Sequence, residues 1–267
     1  MGKIVICGDS FSIGIGCVDL VNDAWGPLLG KKYDREVLNL AKGSSTNYSI
    51  YLQAEAAVKW EDDIDLLIIS NTCPHRVNFF KEKEHLKRSE DMWGAPPPNN
   101  LDVNYHEYPP YGEGTYPQII PHPYVNNPNY RGNLNTENWH GVISYTDDIK
   151  NTKISSYYKK FGGEEDRPML LRNYYLEVFD IAIQAQYDAA ILLRAYMEAK
   201  KANIPTLLAM DIDAVQSLVP EEDFVRVSWG NLALEYPDTL KTFHTSEEGH
   251  KSAFESTAAH IDRYNLL

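Results

Sequence analysis

Apolar positions in this chain fall into two kinds of block. Short runs rich in apolar residues occur at residues 3–8, Glu36–Leu40, Ile64–Ser70, Ile204–Met210 and Phe224–Ser228, and all five read as strands. Those at 3–8 and Ile64–Ser70 are apolar enough to read as buried strands. Elsewhere apolar residues recur at helical spacing. Residues 23–32 predict a short helix with Asp23 as its cap and Trp25, Leu28 and Leu29 as its apolar face. Thr46–Trp60 predicts a second helix, capped at Ser45 or Thr46. Met169–Ala202 reads as one long helix and Glu247–Tyr264 as a C-terminal one, with Thr245 and Glu248 spaced as a capping box. The order β-α-β-α-β at the start predicts an α/β fold: a three-layer α/β/α sandwich around a parallel sheet of about five strands. No internal repeat is visible.

One stretch breaks the pattern. Residues 94–146 hold nine of the fifteen prolines, and nine of the eighteen tyrosines fall between Tyr105 and Tyr158. A segment this long is no ordinary connection. It predicts an insertion at about 77–166 within a single domain of residues 1–267. An ordered surface elaboration, a lid, an oligomer contact and a ligand platform all remain open for it.

Charge and cysteine usage narrow the function class. The net charge is −13, which repels nucleic-acid backbones and anionic membrane surfaces. No apolar run is long enough to span a bilayer, and no secretory signal pattern opens the sequence. Cys7, Cys17 and Cys73 are odd in number and show neither disulfide nor zinc spacing. Reduced thiols and a cytoplasmic location are therefore expected, without cofactor or metal, and with Cys7 as a small core residue.

In a parallel α/β sheet, ligands bind outside the carboxyl ends of the strands. The polar residues expected there are Asp9 and Ser10 after the first strand and Lys42 to Ser45 after the second. Ser70, Asn71 and Thr72 follow the third, with His75 and Arg76 just beyond, and Asp211 and Asp213 follow the fourth. His244 precedes the last helix. A hydroxyl, an amide, a glycine and an imidazole on one rim are the groups acyl transfer needs. Taken singly each has a plain reading: Ser10 as a strand exit, Asn71 and Gly43 as turn residues, His244 as a helix-flanking residue. His75 and Arg76 suit either an anionic substrate group or local acids. The glycines of residues 8–16 do not fit a dinucleotide-binding loop, nor does Gly-Asp-Ser-Phe-Ser fit a nucleophile elbow.

Together these residues resemble the SGNH, or GDSL, hydrolases. Gly8-Asp9-Ser10 is similar to the first block of that family, "NLAKGSST" (39–46) to the second, "IISNTCPHR" (68–76) to the third and "HTSEEGH" (244–250) to the last. The resemblance implies a flavodoxin-like sandwich and a serine esterase in which Ser10 is the nucleophile and His244 its base. The N–H groups of Ser10 and Gly43 and the Asn71 amide would form the oxyanion hole, with Asp9, His75 and Arg76 at the substrate. The chain departs from the pattern in two places. Lys241 stands where the family has an aspartate, leaving Asp238 as the available acid, and Ile69 and Thr72 replace a glycine and an aspartate of the third block. The aromatic insertion, with Trp93 and Trp139, suggests a carbohydrate O-acetyl ester as substrate, and a homo-oligomer is compatible with it. The rival expectation is an SGNH-fold binding or assembly protein that has lost the chemistry. The hydrolase reading requires a Ser10 hydroxyl that is open and within reach of a base.

Overall fold

The computed structural model describes residues 2–42, 45–74, 180–238 and 244–267. Five strands form one sheet: β1 (Lys3–Cys7), β2 (Glu36–Asn39), β3 (Ile64–Ser70), β4 (Thr206–Met210) and β5 (Phe224–Arg226). Their order is β2-β1-β3-β4-β5, and every pairing is parallel. Side chains alternate across the sheet, so each strand feeds two cores. Val5, Cys7, Leu67, Ile69, Leu208 and Met210 face one side, where they pack with α3 (Asn47–Trp60) and α4 (Ile181–Lys201). Ile4, Ile6, Leu66, Ile68, Leu207 and Ala209 face the other, covered by α2 (Trp25–Tyr33), α6 (Trp229–Glu235) and α7 (Glu247–Tyr264). The expected α/β/α sandwich is therefore the observed fold. Ile4, Ile6, Leu66, Leu67, Ile68 and Ile69 are fully buried. Each contributes about 1.5–3 kcal/mol of burial free energy, which makes β1 and β3 the anchor of the sheet.

Several helix boundaries differ from the sequence expectation, for local reasons. Asp23 does not cap α2; the cap position is Ala24, without a side-chain bond. Thr46 does cap α3, its hydroxyl accepting from the Ser49 N–H at 3.1 Å. Of the expected long helix from Met169, residues 169–179 lie outside the described residues; α4 starts at Ile181, and Asp180, extended at φ −116° and ψ 115°, caps it by accepting from Ala182 and Ile183. An aspartate competes for backbone donors, and here it starts a helix in the middle of a helical-looking run. The capping box at Thr245 is also not formed. Ser246 holds the cap position of α7, while the Thr245 hydroxyl donates to the Leu232 and Tyr236 carbonyls at 3.0 Å each. Three short helices among the described residues escaped the sequence pattern: α1 (Ser10–Ile13), directly after β1, α5 (Asp213–Gln216), after β4, and α6, after β5. No helix among the described residues is long and apolar enough to cross a membrane.

Candidate functional site

β1 ends at Cys7, and the chain turns at once into α1, whose first residue is Ser10. Gly8 makes that turn possible, since a Cβ there would overlap the Ser12 hydroxyl. Gln53, on α3, grips the Gly8 peptide from both sides. Its Oε1 accepts from the Gly8 N–H at 2.7 Å and its Nε2 donates to the Gly8 carbonyl at 3.0 Å. Asp9 is fully buried; its Oδ1 accepts from the Phe11 N–H at 3.0 Å and its Oδ2 from the Thr72 hydroxyl at 2.6 Å. Asp9, the residue expected beside the substrate, caps α1 and has both carboxylate oxygens engaged by protein groups. Ser10 itself is only 4% exposed.

His244 approaches α1 from the other end of the chain. Its ring meets that of Phe11, the residue after Ser10, with centroids 4.9 Å apart. The close approach depends on Gly16, at φ 112°, where a Cβ would overlap the Thr245 carbonyl and sit 3.4 Å from the His244 Cβ. Asp238 is six positions before His244 in sequence and lies beside it. The Asp238 N–H donates to the His244 carbonyl at 3.0 Å, and Pro237 and Thr245 form an antiparallel bridge beside it. Asp238 is buried beside this bridge.

Asn71 leaves β3 on the same rim, but its amide is engaged. Nδ2 donates to Asp211 Oδ1 at 3.0 Å, and Oδ1 accepts from the Asp211 N–H at 3.3 Å. The second Asp211 oxygen accepts from the Ser228 hydroxyl at 2.9 Å. Beneath these groups lies an aromatic floor. Trp229 stacks on Phe11 at 5.6 Å, meets Trp25 edge-on at 5.5 Å and lies 5.4 Å from His250, while its Nε1 donates to the Ser70 hydroxyl at 2.8 Å. His250 is fully buried, and desolvation, helped slightly by neighbouring His244, pushes its pKa down to about 4. It is therefore a neutral packing residue at ordinary pH. Burial pushes the Cys7 thiol up, and burial with nearby carboxylates pushes Cys17 up to about 12, so neither is a reactive thiolate.

Thus Ser10 and Asn71 lie at the carboxyl edge of the sheet, after β1 and β3; His244 packs on Phe11, next to Ser10, with Asp238 bonded to its main chain, and Asp9 is buried behind α1. Gly43, His75, Arg76, Lys241, Trp93, Trp139 and the expected insertion lie outside the described residues. Sequence reasoning missed Gln53, Asn47, Asp188 and Trp229 as builders of this edge. Two of them had a signal: Gln53 falls between Ile50 and Ala54 on the buried side of α3, and Asp188 sits beside Ala189 and one turn before Leu192 on α4. A polar residue on an apolar stripe must have a partner.

No family profile matches the chain, and no curated protein matches it. Among solved structures, a protein assigned to the lipolytic G-D-S-L family from Desulfitobacterium hafniense DCB-2 aligns over 97% of this chain and 99% of its own length, at 15% identity and a TM-score of 0.33.

Proposed function

We propose that this protein is a serine ester hydrolase that works through an acyl-Ser10 intermediate. The observation that carries the reading is the meeting of two distant segments. Ser10 heads α1, and His244 lies against the next ring on that helix. In the reaction His244 takes the Ser10 Oγ proton as the oxygen attacks the ester carbonyl. The tetrahedral oxyanion is held by the N–H of Ser10, which at the first position of a helix has no intrahelical acceptor. The N–H of Gly43 and the Asn71 amide complete the hole, once Asn71 exchanges Asp211 for the oxyanion. Collapse expels the alcohol, protonated by His244, and water then hydrolyses the acyl-enzyme with His244 again as base. Asp238, tied to His244 through the main chain, is the available group to orient the imidazole. For substrate we propose a small acyl group on a carbohydrate, with His75, Arg76 and the tyrosine-rich insertion contributing contacts. The test is turnover of a short-chain aryl ester by wild type and Ser10→Ala. The expected loss is about 10³-fold or more; an unchanged rate removes Ser10 as nucleophile.

A second reading has observations in its favour. Ser10 is 4% exposed, and the Asn71 amide is satisfied by Asp211. Both suit a protein that keeps the fold for binding or assembly and performs no hydrolysis. Turnover that is absent in wild type, and still absent when Asp211→Ala frees the amide, selects this reading over the first.

A further inference from the structure

A chain of buried hydrogen bonds runs from α4 to the candidate nucleophile. Gln184 Nε2 donates to Asp188 Oδ1 at 2.9 Å, and Asn47 Nδ2 donates to Asp188 Oδ2 at 2.9 Å. Asn47 then pairs with the main chain of Thr72 on both sides. Its Oδ1 accepts from the Thr72 N–H at 2.9 Å and its Nδ2 donates to the Thr72 carbonyl at 3.0 Å. The Thr72 hydroxyl donates to Asp9, which caps the helix that begins with Ser10. Asp188, Asn47, Thr72 and Asp9 are 4%, 2%, 4% and 0% exposed, so water cannot substitute for any lost partner.

Asp188 has a directing role in this chain. A carboxylate only accepts, so it requires the nitrogen of the Asn47 amide on its own side. That orientation leaves Oδ1 for the Thr72 N–H. We infer that Asp188 is a positioning residue: through Asn47 it fixes the main chain of Thr72, and with it Asn71 on one side and the Asp9 cap beneath Ser10 on the other. The catalytic consequence rests on the hydrolase reading; the geometric one does not. Asp188 does not touch the reacting atoms. It ties α4 to a loop that is more than a hundred residues earlier in sequence, an ordering that no local propensity supplies.

Two variants of the full chain separate this role from bulk packing. Asp188→Ala deletes both acceptors. Asp188→Asn keeps the shape; its carbonyl accepts from Asn47, and its amide donates to a Gln184 side chain turned to present Oε1. Amide hydrogen exchange is read at Thr72, with Ile68 and Leu208 as core references. Asp188→Ala is expected to speed Thr72 exchange by about tenfold or more with the references unchanged, and Asp188→Asn to stay near wild type. With an aryl ester, Asp188→Ala is expected to lower kcat about tenfold at unchanged KM, and Asp188→Asn to restore it. Where the alanine variant does not fold, Asp188→Leu keeps the bulk and loses the acceptors. Wild-type exchange at Thr72 in the alanine or leucine variant overturns the proposal, as does an Asp188→Asn protein as impaired as either. Wild type without Ser10-dependent turnover, but with Thr72 released in Asp188→Ala, supports the positioning role and overturns the hydrolase reading alone.

Discussion

His250 shows how single residues here combine burial with incomplete satisfaction. Its Nε2 lies 3.4 Å from the Ile15 carbonyl, and its buried Nδ1 has no partner among the described residues. Protonating it in the native state adds a charge where water cannot follow, which is why its pKa falls from 6.5 to about 4. In the unfolded chain the ring titrates normally. Between those two values the unfolded state takes up a proton that the native state refuses, so stability falls as pH drops and is flat above that window. Urea unfolding of wild type is expected to lose up to about 1.4 kcal/mol per pH unit from this group, and His250→Gln to flatten the slope. Asp188 acts with the opposite sign. Burial holds its carboxyl above 3.8, so its contribution favours the fold at low pH and is lost as pH rises through its native value. Ser10 and His244 could be singled out in sequence as candidates because acyl transfer, the proposed chemistry, uses a small set of groups. Asp9 was legible as important but not in its role. Its burial follows from a helix of four residues, too short for any periodicity to reveal.

At the scale of elements, the joints matter more than the helices they join. The Gly16 turn and the Pro237–Thr245 bridge together set how α7 meets α1. Gly16→Ala forces a left-handed backbone on alanine and drives its Cβ into a carbonyl. It is expected to cost about 2 kcal/mol or more in urea unfolding and to move His244 off Phe11. Gln53 is a second joint. Removing its amide in Gln53→Ala takes a partner from both the N–H and the C=O of Gly8 inside the core, at a cost of about 1–3 kcal/mol. Strands β1 and β3 could be read from sequence because a parallel strand buried on both faces is apolar along its length. The start of α4 could not, because residues before Asp180 carry the same helical composition and only the Asp180 side chain marks the cap. Likewise Thr245 and Glu248 have capping-box spacing, but Thr245 is drawn instead to two carbonyls of the preceding helix end, a tertiary demand invisible to local pattern.

Across the whole molecule, parallel topology gathers the ends of β1, β3 and β4 with the start of α7 into one rim. That gathering was foreseeable from element order alone; the hydrogen-bond chain from α4 was not, because it joins residues 141 positions apart. The same scale carries the electrostatics. A net charge of −13 makes the compact state repel itself, so raising ionic strength is expected to raise the thermal midpoint. Most of that rise should come between about 0.01 and 0.15 M salt, as the Debye length shrinks from about 30 to 8 Å. The central claim is that the rim delivers an activated hydroxyl despite the low exposure of Ser10. Its most direct test is intact-protein mass spectrometry after exposure to a fluorophosphonate. The account predicts a single adduct that maps to Ser10, is absent in Ser10→Ala and forms far more slowly in His244→Ala. Folded wild-type protein that takes up no adduct, or takes it up elsewhere with Ser10 unmodified, contradicts it.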